Sequence, residues 1–440
     1  MSTIPSASHL VSSPAESPSR LRTISAITIG NALEFFDFTV YGFLSLLIGK
    51  LFFPSFTPYS QLLLAVATFG VGFVMRPIGG IVIGAFADRA GRKAAMTLTI
   101  ALMSLGCGII ALAPTYAQIG LAAPLLIVLA RLLQGFSAGG EVGASTTLLV
   151  EHASPDNRGY LSSWQFASQG LGVLSGALLV SGLFAVLSPD AMESWGWRVP
   201  FMLGLSIAPV GIYIRQHLNE TLNMRSSVAG DQHRDGSKLW ILLTEHRRSL
   251  AAGILITVGG TTAAYVVTFY MPSYAVRELG LSPALSLAAA ALIGFLSFAL
   301  APPVGRLSDR VGRKSLIVGS RVVLVLAAYP AFVWLNDAPS AARLFLIMGL
   351  LGAVLVVQTV PGITILPEMF PKHVRASGMS FVYSVGVALF GGFSPLIVTW
   401  MVNETGSKLA PAWYLIGMAI VSLLGLSLFT DQTGRAIDPD

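Results

Sequence analysis

Five ionisable residues lie inside apolar stretches of the sequence that are long enough to cross a lipid bilayer. Glu34 and Asp37 fall in the first stretch, Arg76 in the second, and Arg131 and Glu141 in the fourth. A charge near the centre of a bilayer costs at least about 2.5 to 3.5 kcal/mol, so such residues normally pair with one another or face a water-filled cavity. A buried acid can take up and release a proton, and an arginine can bind a carboxylate through two parallel hydrogen bonds. These residues therefore predict proton and anion chemistry within a membrane.

A second set of charges lies in a sequence pattern that occurs twice. The pattern G-x-x-x-D-R-x-G-R-K spans residues 84–93 and 305–314, about 220 residues apart and each directly after an apolar stretch. A glutamate and an arginine seven residues apart also recur in each half of the chain. An aspartate in such a loop can cap the N-terminus of a neighbouring helix or pair with an arginine. We predict gating contacts that hold one conformational state and break in another, formed by Gly84, Asp88, Arg89, Gly91, Arg92, Gly305, Asp309, Arg310, Gly312, Arg313, Glu151, Arg158, Glu368 and Arg375. The alternative is that the two loops only set the orientation of the chain in the membrane.

The composition indicates what must position these residues. Hydrophobic residues make up 54% of the chain and charged residues 11%, whereas an ordinary soluble domain has roughly 25% charged residues. The chain therefore needs lipid as its solvent. Stretches of about 20 apolar residues are long enough to span a bilayer, and twelve are found, at residues 24–49, 61–87, 94–113, 121–150, 160–187, 197–215, 249–275, 285–307, 315–335, 342–369, 376–402 and 410–429.

The duplicated pattern divides these twelve stretches into two equal sets. We predict an all-α membrane protein with twelve transmembrane helices in two six-helix halves, an arrangement that places a substrate site between the halves near the middle of the membrane. The predicted organisation is a disordered cytoplasmic tail at residues 1–20, an N-terminal half at 21–215, a cytoplasmic linker at 216–248, a C-terminal half at 249–430 and a cytoplasmic tail at 431–440.

Basic residues are distributed unequally between the two sets of loops. Lysines and arginines crowd one side, while the opposite loops hold little beyond Lys50, Arg277 and Lys408. Because basic residues concentrate in short cytoplasmic loops, both termini are predicted to be cytoplasmic. The same loops account for the net charge of +6. Nucleic-acid binding is not expected, since a basic groove interleaved with stacking aromatic residues is missing.

The depth of each charged residue along its helix predicts which residues interact. At a rise of about 1.5 Å per residue, Glu34 lies roughly 15 Å from the cytoplasmic start of its helix and Arg76 roughly 16 Å from the cytoplasmic end of the next. Asp37 lies about 20 Å in and Arg131 about 25 Å in, a difference that an arginine side chain can bridge. We predict that Glu34, Asp37 and Arg131 couple transport to a proton, and which acid carries the proton stays open. The structural alternative is that these ion pairs only fasten the helices together, although apolar residues would do so without the cost of burying charge.

Helical spacing places further polar residues around the same site. Asn31, Glu34, Asp37 and Tyr41 follow one another at steps of three, three and four residues and so share one helix face. The corresponding face of the fourth helix carries Arg131 and polar residues after it. We predict a substrate site formed by Asn31, Tyr41, Arg76, Arg131, Gln134, Gln165, Gln169, Tyr265, Tyr270, Gln358 and Tyr383. Taken singly, the polar residues of the C-terminal half are more often packing residues than ligands.

Glycines make the fourth helix narrow. Gly135, Gly139, Gly140 and Gly143 lie within nine residues of one another. Small residues at such spacing favour close packing between membrane helices. We therefore expect a neighbouring helix to contact the backbone of the fourth helix.

The motifs resemble those of a known family. The repeated loop pattern resembles the signature of the major facilitator superfamily over residues 20 to 430. Four strings resemble the metabolite:proton symporter family within it: GNALEFFDFTVYGF, GFVMRPIGG, RLLQGFSAGGEVG and WGWRVPF. Phe35 stands where most members have tryptophan. The resemblance implies alternating access, import driven by the proton gradient and location in a bacterial inner membrane. In related sugar–proton carriers, an acid on helix 1 works against the arginine of helix 4 in proton coupling, and these roles fall here on Asp37 and Arg131.

The C-terminal half resembles the tricarboxylate carriers of that family, on residues 261–274 and 381–413. This resemblance implies a proton-coupled symporter that imports a small organic acid, most readily a di- or tricarboxylate such as citrate. A proton-coupled proline or betaine symporter is the first alternative, and a membrane sensor of the same fold without transport is the second. An enzyme is not expected, because no nucleophile–base pair or metal-ligand cluster is found. The expected partners are an organic acid, a proton and the lipid bilayer, with no cofactor, no metal, no nucleic acid and a monomeric chain.

Overall fold

The computed structural model describes residues 20–53, 57–90, 92–140, 146–147, 149–151, 153–205, 209, 235–372 and 374–435. In the N-terminal half the helices are α1 (Arg20–Phe43), α2 (Ser45–Phe52), α3 (Pro58–Ala90), α4 (Arg92–Leu112), α5 (Tyr116–Ile119), α6 (Ala122–Ser137), α7 (Arg158–Val186) and α8 (Pro189–Ser194). Short 3-10 turns at Ala138–Gly140 and Gly196–Arg198 extend this half, and residues 199–205 are helical.

The C-terminal half repeats the pattern of long helices. It contains α9 (Asp235–Glu245), α10 (Arg247–Ala264), α11 (Met271–Arg277), α12 (Pro283–Val311), α13 (Arg313–Asp337), α14 (Ala341–Glu368), α15 (Arg375–Gly386), α16 (Ser394–Thr405) and α17 (Ala410–Ser427). Wider π-helical turns at Tyr265–Tyr270 and Val387–Gly392 join α10 to α11 and α15 to α16. Such turns are frequent at functional sites, and Tyr265 and Val387 both line the central cavity.

The described helices agree with the twelve predicted spans wherever the two can be compared. Within the described part of the chain, eight helices are long and apolar enough to cross a membrane, and the α1–α2 pair, bent by 61°, gives a ninth. Two shorter apolar helices, Thr97–Leu112 and Ala122–Ser137, lie at the third and fourth predicted spans. The sixth span, predicted at residues 197–215, falls mostly outside the described residues. Large apolar side chains such as Leu112, Val186 and Leu326 are 70% exposed or more, which suits a protein whose solvent is lipid.

Close helix packing holds the N-terminal half together, as its glycines predict. A Cβ added to Gly135 would lie 1.6 Å from the carbonyl oxygen of Gly72, and one added to Gly139 would lie 2.1 Å from that of Arg76. The backbones of α3 and α6 therefore touch, and the expectation of close packing on the fourth helix is confirmed. Gly143 lies outside the described residues, and only the backbone of Gly140 is described.

The two halves meet along α7 and α12, which pack against each other over most of their length. Glycines again allow this approach: a Cβ on Gly159 would lie 2.6 Å from the Gly305 oxygen, and one on Gly170 would lie 2.8 Å from the Gly294 oxygen. These contacts put the N-terminal end of α7 directly against the motif at the end of α12.

Candidate functional site

A chain of hydrogen bonds connects Asp37 to Arg131 through two other side chains. The Cys107 thiol donates to Asp37 Oδ2 at 3.1 Å, and Gln134 Nε2 donates to Cys107 Sγ at 3.1 Å. Arg131 Nη1 donates to Gln134 Oε1 at 2.9 Å. A Cβ on Gly204 would lie 2.4 Å from Asp37 Oδ1, so this glycine leaves room for the carboxylate. We call these four residues the Asp37–Arg131 chain.

The Asp37–Arg131 chain of hydrogen bonds takes the place of the direct ion pair between these two residues that depth along the helices predicts. Both residues are described, and no ion pair joins them within 4.0 Å. Depth along α1 and α6 ignores the third helix, α4, which inserts Cys107 between them. Gln134 follows Arg131 by three residues on the same face of α6, and its amide oxygen accepts the hydrogen bond from Arg131 instead of Asp37. Cys107 was not among the predicted site residues, and its position in an apolar helix gives no signal of this role.

An aromatic layer covers the two arginines of the N-terminal half. The Arg131 guanidinium lies 4.5 Å from the ring centre of Tyr41 and 4.7 Å from that of Phe38. Arg76 lies 4.6 Å from the same Phe38 ring and 4.3 Å from that of Phe73. Cation–π contacts of desolvated groups contribute about 2 kcal/mol, so these rings offset part of the cost of burying two cations. Phe38 is shared by both arginines and was missed by sequence reasoning.

Glu34 and Arg76 face the same part of the C-terminal half. Glu34 is 6% exposed and Arg76 is 2% exposed. Both lie in electrostatic range of the hydroxyl groups of Tyr265 and Tyr383. These two tyrosines also line the cavity. The charges of Glu34 and Arg76 therefore act on two residues of the cavity wall.

The central cavity lies between the two halves. Phe35, Phe166 and Val173 line it from the N-terminal half. Of the predicted substrate residues, those that line it are Gln169, Tyr265, Gln358 and Tyr383. Those that do not line it are Asn31, Tyr41, Arg76, Arg131, Gln134, Gln165 and Tyr270.

Several residues of the second group have structural contacts instead. Asn31 donates to the Gln165 carbonyl oxygen at 3.1 Å and to Ser168 Oγ at 2.6 Å, which ties α1 to α7. The Tyr41 hydroxyl donates to the Ala65 carbonyl oxygen at 3.2 Å. In the conformation described, neither Arg76 nor Arg131 lines the cavity.

Arg321 lines the cavity and was missed by sequence reasoning. It lies on α13, is 1% exposed and uses Nη2 to donate to the Ile256 carbonyl oxygen at 2.7 Å. The available signal was an arginine inside the apolar stretch at residues 315–335. It belongs with the five ionisable residues that were recognised.

Charged contacts join the two halves at the end that carries the second motif. Because this end is predicted to be cytoplasmic, we call these contacts the cytoplasmic gate. Asp309 accepts hydrogen bonds from the backbone nitrogens of Gly159 at 2.8 Å and Tyr160 at 3.0 Å, and so caps the N-terminus of α7 in the opposite half. Glu368 Oε1 lies 3.2 Å from Arg158 Nη1 and 3.2 Å from Arg313 Nη2. The side chains of Arg158, Arg313 and Glu368 are 3% exposed or less, so the halves are closed against each other at this end.

Some of the other predicted gating residues form further contacts of the gate, and others lie outside it. Arg375 pairs with Glu151 at 3.2 Å between the halves. Gly312 has a φ of 97°, a left-handed conformation that favours glycine, and it forms the break between α12 and α13. Arg310 is exposed. In the first copy of the pattern, Gly91 and the side chains of Asp88, Arg89 and Arg92 lie outside the described residues, and Gly84 is described only as helix backbone.

The start of the C-terminal tail folds back onto the second motif. Asp431 Oδ2 accepts from the Lys314 backbone nitrogen at 3.1 Å, and Thr433 Oγ1 accepts from that of Arg313 at 3.1 Å, so both cap the N-terminus of α13. The Arg435 carbonyl oxygen accepts from Arg158 Nη2 at 2.8 Å. Partial burial acts to raise the pKa of Asp431, but hydrogen bonds from Thr433 and Lys314 and the charge of Arg313 bring it below its ordinary value.

The family model for the sugar (and other) transporter family matches residues 23–223 and 215–433. The chain belongs to this transporter family. A citrate–proton symporter of Salmonella typhi is 38% identical over 95% of this chain and 96% of its own length. A proline/betaine transporter of Salmonella typhimurium is 34% identical over 92% of this chain and 83% of its own length. Membership confirms the predicted resemblance and makes the protein a transporter rather than an enzyme.

Solved structures of transporters support the fold. The crystal structure of a D-xylose–proton symporter superposes with a TM-score of 0.76 at 16% identity, covering 94% of this chain and 99% of that one. A partially occluded inward-open xylose transporter from E. coli gives a TM-score of 0.74. With the helices described above, this likeness confirms the predicted major facilitator fold of two six-helix halves.

Proposed function

We propose that this transporter is a proton-coupled symporter that imports a small organic acid, a di- or tricarboxylate such as citrate, by alternating access. The observation that carries the proposal is the Asp37–Arg131 chain, in which an acid and a base are buried deep among the helices and joined by hydrogen bonds. Buried ionisable groups of this kind mark proton and substrate pathways in membrane proteins. Similarity to citrate–proton symporters supports the same substrate class.

In this mechanism Asp37 holds the transported proton and Arg131 responds to it. While Asp37 is ionised, its charge reaches Arg131 through Cys107 and Gln134. Protonation removes that charge, so the Cys107 thiol loses a strong acceptor and the chain must rearrange. Arg131 then interacts more strongly with an anionic substrate. Glu34 and Arg76 form a second acid and arginine of this kind. Protonation of Glu34 changes the charge that Tyr265 and Tyr383 experience at the cavity wall.

Alternating access follows from the cytoplasmic gate. Closing the cytoplasmic side forms the contacts of Asp309 and Glu368, and opening it breaks them while other contacts take over on the opposite side. The first copy of the motif, with Asp88, serves the same purpose in this proposal. The protein acts as a monomer in a bacterial inner membrane with both termini in the cytoplasm.

Uptake into membrane vesicles tests the function directly. Labelled citrate, succinate, proline and betaine are supplied with and without an imposed pH gradient, acid outside. We expect citrate or another di- or tricarboxylate to accumulate only with the gradient, and the accumulation to collapse when a protonophore is added. Uptake that ignores the gradient would refute proton coupling. Vesicles that bind substrate without uptake would indicate a sensor.

A proline or betaine symporter is the second candidate, and one observation favours it. Phe35, Tyr265, Phe269 and Tyr383 all line the cavity, and aromatic faces bind quaternary ammonium groups. Similarity to a proline/betaine transporter agrees with this. Strong inhibition of uptake by excess betaine, with no inhibition by excess citrate, would decide for this candidate.

A further inference from the structure

Arg321 is a buried cation whose hydrogen-bonding capacity is mostly unused. Nη2 bonds to the Ile256 carbonyl oxygen, but Nε and Nη1 have no hydrogen-bond partner although both are buried. No acidic side chain among the described residues forms an ion pair with it. An unpaired buried charge is strongly destabilising. The position therefore calls for an anion that the protein itself does not supply.

Neighbouring cavity residues also have unused polar atoms. The hydroxyl groups of Thr261 and Thr359 and both amide atoms of Gln358 are buried without a hydrogen-bond partner. All three residues line the same cavity as Arg321. Buried polar groups in proteins normally have partners, so this group of atoms indicates a ligand with several acceptor oxygens.

Two glycines leave room beside the guanidinium group. A Cβ on Gly259 would lie 3.1 Å from Arg321 Cζ, and one on Gly260 would lie 3.8 Å from Nη2. The distance at Gly259 is shorter than an ordinary contact, so a larger residue there would crowd the arginine. The backbone of α10 thus holds the guanidinium group at the cavity wall.

A purely structural role for Arg321 is weak. The Ile256 carbonyl oxygen, its one hydrogen-bond acceptor, also accepts from Ser422 Oγ at 2.9 Å. That oxygen therefore has a hydrogen-bond donor without Arg321. Burying a charge only to donate a second hydrogen bond to it would cost desolvation free energy.

We propose that Arg321 is a substrate-binding residue of the C-terminal half, where its unused donors bind a carboxylate of the transported anion beside Gln358 and Thr261. This inference rests on the proposed function and specifies it further. A di- or tricarboxylate can then interact with both halves at once, one carboxylate with Arg321 and the rest of the molecule with Gln169, which lines the cavity from the N-terminal half. A substrate that contacts both halves couples its own binding to the movement of one half relative to the other.

The test compares Arg321→Gln with the matched control Ser422→Ala, which removes the other hydrogen bond to the Ile256 oxygen and leaves the cavity wall unchanged. Equilibrium binding of labelled citrate and labelled betaine is measured on purified full-length protein, together with thermal unfolding. We expect Arg321→Gln to weaken citrate binding by about tenfold to a hundredfold, the usual contribution of hydrogen bonds to a charged group. Ser422→Ala should bind citrate like the wild type, and Arg321→Gln should unfold at no lower temperature than Ser422→Ala.

Each other outcome has a defined meaning. Unchanged citrate binding in Arg321→Gln, or equal weakening in Ser422→Ala, overturns the inference while the proposed function stands. If the wild type binds betaine and not citrate, the proposed function fails, and the inference holds only if Arg321→Gln weakens betaine binding. If the wild type binds neither, both fail. Should Arg321→Gln not fold, Arg321→Lys replaces it: weaker binding is expected because lysine lacks the planar donor set, and wild-type affinity would overturn the inference.

Discussion

The two halves of the transporter carry the same sequence pattern but bury different chemistry. In the N-terminal half, two acids and two arginines are buried, and both arginines lie against the ring of Phe38. In the C-terminal half, Arg321 lies on the cavity wall among neutral polar residues. The described residues that line the cavity include no acid.

The difference indicates a division of tasks between halves that share an ancestral plan. An acid that must gain and lose a proton is best kept apart from a substrate that is itself an acid, since two carboxylates in contact disturb each other's ionisation. Under the proposed function, Asp37 in the N-terminal half holds the proton and Arg321 in the C-terminal half binds a carboxylate of the anion. Tyr265 and Tyr383 lie where the two regions meet.

The largest effect should come from Asp37→Asn, which removes the ionisable group of the Asp37–Arg131 chain. We expect gradient-driven accumulation to be abolished while substrate exchange and binding stay measurable, because an amide can occupy the site but cannot carry a proton. Vesicle uptake with and without a pH gradient measures this. The matched control is Glu278→Gln in the C-terminal half, a carboxylate that pairs with Arg277 at 3.3 Å, and it should accumulate substrate normally. Concentrative uptake by Asp37→Asn would show that another acid couples transport.

The sequence is sufficient to predict the helices and the division into halves, because both follow from the length and polarity of continuous segments. It also identifies Asp37 and Arg131, since a charge inside an apolar stretch is conspicuous. It does not predict how these two are connected. Cys107 and Phe38 are ordinary apolar residues in sequence, and their roles arise only when α1 and α4 pack with α3 and α6.

A second large effect should come from Asp309→Asn at the cytoplasmic gate. The carboxylate caps α7 across the halves, and losing a contact of about 1 to 3 kcal/mol should shift the equilibrium toward the inward-open state about five- to 150-fold. The measurement is the rate of thiol labelling at Ser163→Cys, a position that is 1% exposed in the closed gate. Cys107 is buried, so the native thiol can stay in place.

Two further variants relate this result to the comparison between the halves. Arg310→Gln changes an exposed residue of the same motif and should leave the labelling rate unchanged. Asp88→Asn should raise it if the first copy of the motif has the same role as the second. A change in which substrates compete, without faster labelling, would argue against a gate.

An intermediate effect should come from Cys107→Ala, which removes both hydrogen bonds in the middle of the Asp37–Arg131 chain. We expect coupled uptake to slow about threefold to tenfold, the usual contribution of one to two net hydrogen bonds. Cys107→Ser keeps a donor and an acceptor and should restore most of the rate. Substrate binding in the cavity should be unchanged in both, because Cys107 does not line it. Equal rates for the alanine and serine variants would mean that Cys107 only fills space.

The smallest effect should come from Asp431→Asn, which weakens the cap that the C-terminal tail places on the second motif. Asp431 is partly exposed, so solvent screening limits its contribution to roughly 0.5 kcal/mol, or about one degree in the temperature of unfolding. Because the pKa of Asp431 is lowered in the folded protein, its stabilisation is present above the unfolded value near 3.9 and is lost as the pH falls through the lower folded pKa. Thermal unfolding of the purified variant should therefore differ from the wild type at pH 7 and converge with it as the pH falls from the unfolded pKa through the folded one. Asp337→Asn is the control. Asp337 lies at the C-terminal end of α13, the helix whose N-terminus Asp431 caps, and its side chain is 78% exposed. This variant should show no such convergence. A difference that persists at acid pH would assign the tail contact to packing and not to charge.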